Sequence, residues 1–243
     1  MNVREVKKLS QNRGPLPPPA LTEKMRLFCV EMNPYCHRVK LILDAKRVSY
    51  EVKYVDPVQL PNWFVQKNPR LKIPVLEIPN ESKYLFESVV ICDFVDEMFP
   101  KYQLHSTDPF KKAQDRLIIE RFNELIKGSL ECFDTNFAFG SEQILETLDV
   151  LENEITDRDT AYFSGDSKPG MLDYMIWPWV ERLYLLKCVS ENKFNEKLRL
   201  FPNFAEWGDQ MQLDPFVKKH SKSPLEYFEY YKNARMYSMG CYF

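Results

Sequence analysis

The sequence predicts two folded units in series: an α/β unit with a mixed four-stranded sheet over residues 25–104, then an all-α unit over residues 105–243. Three observations predict this division. Short apolar strand patterns and amphipathic helix patterns alternate between Met25 and Met98; a strand–helix–strand succession opens that stretch; and beyond the loop at Lys101–Asp108 apolar residues recur only at helical spacing. Ahead of both units, residues 1–24 form an arm in which Pro15, Pro17, Pro18 and Pro19 interrupt a charged stretch, a composition that stays irregular.

Each element has a local reason. Met25–Val30 is a short apolar run closed by Asn33-Pro34, a turn and helix-start signal, with proline suited to the first helical turn. Cys36, Val39 and Leu43 then fall on one helical stripe with Ile42 beside it, which predicts that Arg38, Lys40, Asp44 and Lys46 face water. Val48, Tyr50, Val52 and Tyr54 alternate with polar residues, the pattern of a half-buried strand. Strand, helix and strand with short joints make a βαβ unit, so these two strands should run parallel. A short helix around Trp63 and Phe64 follows, then strands at Pro74–Ile78 and Lys83–Phe86 about a turn at residues 79–82. Ile91, Phe94, Val95 and Met98 predict a closing helix that ends before Pro100. In the second unit Ile118, Phe122 and Leu125 form one stripe. Ile144, Leu148, Leu151 and Ile155 form another, and Ile176, Trp179, Val180 and Leu183 a third.

Composition removes several function classes. Lys and Arg total 33 against 35 Asp and Glu, and the formal charge of −2 leaves no electrostatic footprint for nucleic acid or an anionic membrane. No apolar run approaches the roughly 20 residues that a membrane span needs; Met175–Val180 is interrupted by Pro178. The charged, proline-rich start has no apolar h-region, so no secretory leader is expected. Six cysteines (Cys29, Cys36, Cys92, Cys132, Cys188, Cys241) without a CxxC pair fit reduced thiols of the cytoplasm better than disulfides or zinc ligands. His37, His105 and His220 show no metal-ligand spacing, so no metal is expected.

Three joints of the first unit carry groups that suit a peptide ligand. Asn33-Pro34 lies at a strand-to-helix turn, where backbone N–H groups and the helix dipole favour a thiolate or another anion. Ile73-Pro74 opens a strand and, with a cis peptide, presents extended backbone to which a peptide can add. Glu87-Ser88 starts a helix, where a carboxylate and a hydroxyl can hold the two ends of an amino acid.

These joints, as an ordered set, carry a resemblance. Asn33-Pro-Tyr-Cys-His-Arg38, Asn62-Trp-Phe64, Lys67-Asn-Pro69, Ile73-Pro-Val-Leu-Glu77 and Phe86-Glu-Ser88, with Asp173-Tyr-Met-Ile-Trp-Pro-Trp-Val-Glu-Arg182 in the second unit, resemble the omega-class glutathione transferases over essentially the whole chain. The resemblance implies the glutathione transferase fold, with a thioredoxin-like N-terminal domain that holds glutathione and an all-helical C-terminal domain that forms an open hydrophobic site. It also implies a cytoplasmic homodimer. Under it Ile73 would bond the cysteinyl backbone beside Pro74, Glu87 and Ser88 would hold the γ-glutamyl group, and Pro34, Tyr35 and Leu60 stand among the glutathione-binding positions. Arg182, Trp179 and Tyr227 are the candidates for the second substrate; Arg182 is otherwise an exposed charge, Trp179 more often a core residue, and Tyr227 equally able to pack.

Two positions depart from the family pattern. The omega cysteine before the proline is here Asn33, and the lysine that helps bind the glycyl carboxylate is here Leu60. Asparagine forms no mixed disulfide, so the thiol-transfer and dehydroascorbate chemistry of the class is not expected. Asn33 can cap the helix, donate its amide to the glutathione sulfur, or do both. Cys36 occupies the second position of a glutaredoxin-type C-P-x-C pattern, which leaves an oxidoreductase reading through it, yet its place on the apolar stripe predicts burial. Loss of both family residues also leaves a non-catalytic glutathione- or ligand-binding protein as an alternative. Asp173 is expected to cap a helix start, although Gly170 stands where the family carries a capping hydroxyl.

Overall fold

Strand β1 (Met25–Cys29) is the hub of the sheet and is wholly buried in this computed structural model, which describes residues 23–56, 60–79, 83–134, 141–189 and 198–233. Helix α1 (Pro34–Ala45) returns the chain to β2 (Tyr50–Tyr54), which pairs parallel with β1 from Met25↔Tyr50 to Cys29↔Tyr54. A 3-10 segment (Asn62–Gln66) leads to β3 (Val75–Ile78), antiparallel to β1, and β4 (Lys83–Phe86) pairs antiparallel with β3. The sheet order is therefore β2-β1-β3-β4, and α2 (Ser88–Met98) closes it. This is the mixed sheet of a thioredoxin-like domain. The turn at residues 80–82 and most of the arm lie outside the described residues.

The helical part comprises α3 (Pro109–Asp134), α4 (Ser141–Arg158), α5 (Met171–Val189), α6 (Pro202–Leu213), α7 (Pro215–His220) and α8 (Pro224–Asn233). Among the described residues five helices begin on proline (Pro34, Pro109, Pro202, Pro215 and Pro224), because a residue without an N–H costs nothing in the first turn. Helix α5 is the centre: every residue from Met171 to Arg182 is buried. Phe122, Leu148, Leu151 and Ile155 bury against the core as their stripes predict. The side chains of Leu125, Ile144 and Leu183 lie outside those described.

Two sequence expectations fail, both through tertiary context. The alternation in β2 marks a strand correctly, but Val52 and Tyr54 are exposed because β2 is the sheet edge. Arg38, Lys40, Asp44 and Lys46 do not face water. Helix α1 lies between the sheet and the helical domain, in contact with α2, α5 and α7, and all four charges are buried. Each has partners: Lys46 with Asp96 at 2.6 Å, Asp44 with His220 and Lys219, and Lys40 with the Tyr54 hydroxyl. Burying these charges without partners would cost several kcal/mol each, of the order of a domain's whole stability.

Candidate active site

The first joint is a turn that becomes a helix. The Asn33 N–H donates to the Val30 carbonyl (3.2 Å), and the Asn33 Oδ1 accepts from the Cys36 N–H (2.9 Å), so Asn33 is the N-cap of α1. With Oδ1 committed to the helix, the remaining polar atom of the side chain is Nδ2, a donor. Pro34 is buried beneath it. Tyr35 is half-buried, and its ring meets that of Trp179 edge-on at 5.0 Å. Burial pushes the Tyr35 hydroxyl above the ordinary tyrosine range, with Arg38 opposing the shift. Cys36 is closed to solvent, and its Sγ accepts from the Val30 N–H at 3.4 Å. Burial, then the neighbouring Cys29 thiol, pushes the Cys36 thiol well above the usual range.

At the second joint the Ile73–Pro74 peptide is cis, and Ile73 precedes the β3 ladder, so the sheet does not consume its N–H and C=O. The approach to it is set by Asn68, which is fully buried; its Nδ2 donates to the Lys72 carbonyl (2.8 Å) and its Oδ1 accepts from the Arg70 N–H (2.9 Å). Leu60 packs with Phe28, Phe64 and Val75 and offers no charge. At the third joint Glu87 caps α2 with φ at 69°, a conformation uncommon for any residue with a Cβ and found at ligand sites. Ser88 is buried, and its Oγ accepts from Arg38 Nη1 at 3.2 Å. The exposed Glu87 carboxylate takes Arg70 Nη1 at 3.1 Å. Sequence reasoning missed Arg70; the signal for it was a basic residue between Asn68-Pro69 and Ile73, in the loop that precedes the predicted ligand strand.

The glutathione S-transferase N-terminal domain family matches residues 33–98, and its C-terminal domain family matches residues 118–207. Glutathione S-transferase omega-1 of Mus musculus is 31% identical over 228 residues, covering 91% of this chain and 90% of the relative. This chain is an omega-class glutathione transferase. Pyrimidodiazepine synthase of Drosophila melanogaster is 39% identical over 195 residues, covering 79% of each chain. Among solved structures, rice GST1 in complex with glutathione superimposes with a TM-score of 0.76 at 20% identity, covering 90% of this chain and 100% of the other.

In this transferase the residues suggested for the second substrate lie behind the first joint. Trp179 is buried, with the Arg38 guanidinium 4.3 Å over its ring and Phe122 edge-on at 6.1 Å. Arg182 is 7% exposed; one Nη2 donates to the Met32 carbonyl at 2.8 Å, its Nη1 bonds the Pro178 carbonyl, and the guanidinium covers Tyr227 at 4.5 Å. Tyr227 is 2% exposed, and its hydroxyl donates to Glu181 Oε2 at 2.6 Å. The expectation that these three line an open site is corrected here: all three side chains are buried rather than open to solvent. Arg182 and Tyr227 spend their polar atoms inside the protein, whereas Trp179 Nε1 is buried with no hydrogen-bond partner among the described residues. Glu181 also stands 3.5 Å from His37 Nδ1. Burial pushes the Glu181 carboxyl up and holds the His37 imidazole well below its ordinary range, so His37 is neutral.

Asp173 is the cap that the sequence predicts. Its carboxylate accepts from Phe163 N–H (2.9 Å), Gly170 N–H (2.8 Å), Trp207 Nε1 (2.8 Å) and Ser164 Oγ (2.7 Å). With glycine at position 170, the hydroxyl that meets this carboxylate comes from Ser164.

Proposed function

We propose that this transferase binds glutathione across the three joints and activates its thiol for attack on small electrophiles. The cysteinyl backbone pairs with Ile73, the γ-glutamyl group is held by Glu87 and Ser88, and the sulfur lies at the start of α1, between Asn33 and Tyr35. The observation that carries this reading is the bond from the Cys36 N–H to Asn33 Oδ1, which leaves the amide a donor where the class carries a cysteine. The reaction is one displacement. The glutathione thiol releases its proton to solvent, and the thiolate forms a bond to the electrophilic carbon as the leaving group departs with its electron pair.

A hydrogen bond to a charged group is worth about 1.5–3 kcal/mol, or about one to two pKa units. Applied to a thiol near ~8.5, the lower figure raises the thiolate fraction at pH 7 from a few per cent to roughly a quarter. That supports modest conjugation. An oxidoreductase working through Cys36 is disfavoured because the thiol is buried and hard to ionise. Leu60 removes one charge contact to the glycyl carboxylate, a loss on the order of 1 kcal/mol when exposed. A homodimer in the cytoplasm, as in the class, completes the reading.

Steady-state rates with an activated aryl halide test it, comparing the parent with Asn33→Ala. The variant should bind glutathione within about threefold of the parent and lose about tenfold in rate, in line with one charge-assisted donor. Equal rates would remove Asn33 from the chemistry. Binding without turnover in the parent would favour the non-catalytic ligand-binding alternative.

A further inference from the structure

Arg182 lies on α5 in the helical domain, yet it reaches the residue immediately before Asn33. The peptide group that joins Met32 to Asn33 is planar, so its carbonyl and its N–H turn together. Both of its polar atoms are held. The Met32 carbonyl accepts from Arg182 Nη2 at 2.8 Å, and the Asn33 N–H donates to the Val30 carbonyl at 3.2 Å. Met32 itself is 8% exposed and packs against Tyr227 and Tyr230 of α8. The guanidinium has a second carbonyl partner in Pro178 and stacks on the Tyr227 ring, whose hydroxyl is bonded to Glu181. Arg182 is thereby fixed along its own helix, against the ring, and toward Met32.

We infer that Arg182 is a positioning residue for Asn33: it locks the Met32–Asn33 peptide plane and so aims the Asn33 amide at the glutathione sulfur. The inference rests on the proposed function above. It assigns Arg182 no contact with the second substrate, and it makes the setting of the thiol depend on α5 and α8. Without Arg182, the buried Met32 carbonyl loses this charged donor, and the peptide plane is held less firmly. The cap bond to Cys36 keeps α1 helical, but the turn that carries the Asn33 side chain loses its anchor to α5, and the Asn33 N–H is no longer held in line with the Val30 carbonyl. Small misplacements of a catalytic group cost large factors in rate. The joints at Ile73 and Glu87–Ser88 are untouched.

The test measures three quantities on the full chain: glutathione affinity by calorimetry, kcat with an activated aryl halide, and the pKa of the bound glutathione thiol from its ultraviolet thiolate absorbance. Arg182→Met is expected to keep glutathione affinity within about twofold, to lower kcat about tenfold and to raise the pKa of the bound thiol. Arg182→Lys retains a donor for the Met32 carbonyl and should recover part of both losses. A folded Arg182→Met with parental kcat and thiol pKa overturns the inference, as does a variant whose only defect is weaker glutathione binding. If Arg182→Met does not fold, Arg182→Lys carries the decision: a raised thiol pKa supports positioning, and a parental value refutes it. Asn33→Ala is measured alongside. A shift in Asn33→Ala without one in the Arg182 variants sinks only this inference, whereas no shift in Asn33→Ala sinks the proposed function and this inference together.

Discussion

Gly170→Ser, a change that ordinarily improves the start of a helix, is expected to destabilise this protein. A Cβ built on Gly170 would stand 2.5 Å from Ser164 Cβ, 2.6 Å from Ser164 Oγ and 2.9 Å from the Leu104 carbonyl oxygen. No side chain tolerates contacts that short, so Ser164 must move. Its hydroxyl then leaves Asp173, to which it donates at 2.7 Å. Overpacking costs about 1–3 kcal/mol. A lost hydrogen bond to a buried carboxylate adds about 1.5–3 kcal/mol. The sum is about 2.5–6 kcal/mol against a total stability of about 5–15 kcal/mol. For a chain of this size that lowers Tm by roughly 5–24 °C. Ser164→Gly in the same chain removes two of the three contacts, and the new hydroxyl takes the vacated place on Asp173. The double variant should regain more than half of the loss, with the Leu104 carbonyl contact accounting for the remainder. Thermal and urea denaturation of the parent, both single variants and the double variant give the coupling directly. A harmless Gly170→Ser, or single effects that simply add in the double variant, would refute the claim that one hydroxyl site is shared by positions 164 and 170.

Two further outcomes follow from buried titratable groups. Cys36 should resist a thiol-alkylating reagent in the native protein and react only at the rate of unfolding, because its thiol is both closed to solvent and hard to ionise; rapid stoichiometric labelling of Cys36 in the folded state, read by peptide mass spectrometry, would contradict the structure. Burial, with Arg182, His220 and Lys40 nearby, lowers the His37 pKa, so the unfolded chain binds this proton more readily. The stability this group contributes is complete above the unfolded value near ~6.5 and is lost as pH falls below it. Glu181, pushed up by burial, acts in the opposite sense, so the measurement is the difference between parent and His37→Gln. The parent's Tm should fall more steeply than the variant's from about one unit above to about one unit below that value, and parallel curves would disprove it.

How much of this was legible in the sequence depended on whether a residue answers to its own element or to a neighbouring one. The order of strands and helices was legible because period-2 and period-3.6 patterns are written locally, and the proline-led helix starts reinforce them. The three joints were legible because each combines a turn signal with a residue type whose backbone or side chain the joint needs. Asn33 as an N-cap is the simplest example. What stayed hidden was the second face of each element. The charges of α1 read as a solvated face, since no local pattern records that a helical domain covers them. Val52 and Tyr54 read as the covered face of a half-buried strand, since no local pattern records that β2 ends the sheet. Arg182 could be suggested for a substrate by resemblance, but its partner is a backbone carbonyl in a different domain, and carbonyls leave no trace in a sequence. Ser164 was missed for a related reason: it reaches Asp173 from the loop ahead of Gly170, outside the local helix-start pattern.

Two arginines cross between the domains at α5, which is otherwise buried in the main apolar core. Arg182 extends from α5 to the Met32 carbonyl at the first joint, and Arg38 extends from α1 to the Met175 carbonyl on α5 at 2.9 Å and to Ser88 at the third joint. Arg38 is fully enclosed, and burial lowers its pKa to about 10, still high enough to remain a cation at neutral pH. Such a cation is stable inside only where its donors find acceptors and its face finds a ring, and the Met175 carbonyl, Ser88 Oγ and Trp179 supply them. Pro178 shapes the same segment, because a proline within a helix removes one N–H from the ladder and crowds the carbonyl four residues earlier. The second joint is different: Asn68 shapes its approach from within the α/β domain. Two of the three groups proposed to meet glutathione are thus registered to one helix of the other domain. A change in the packing of α5 therefore reaches Asn33 and Ser88 before it reaches Ile73, and should alter thiol activation and the grip on the γ-glutamyl end sooner than the pairing of the cysteinyl backbone.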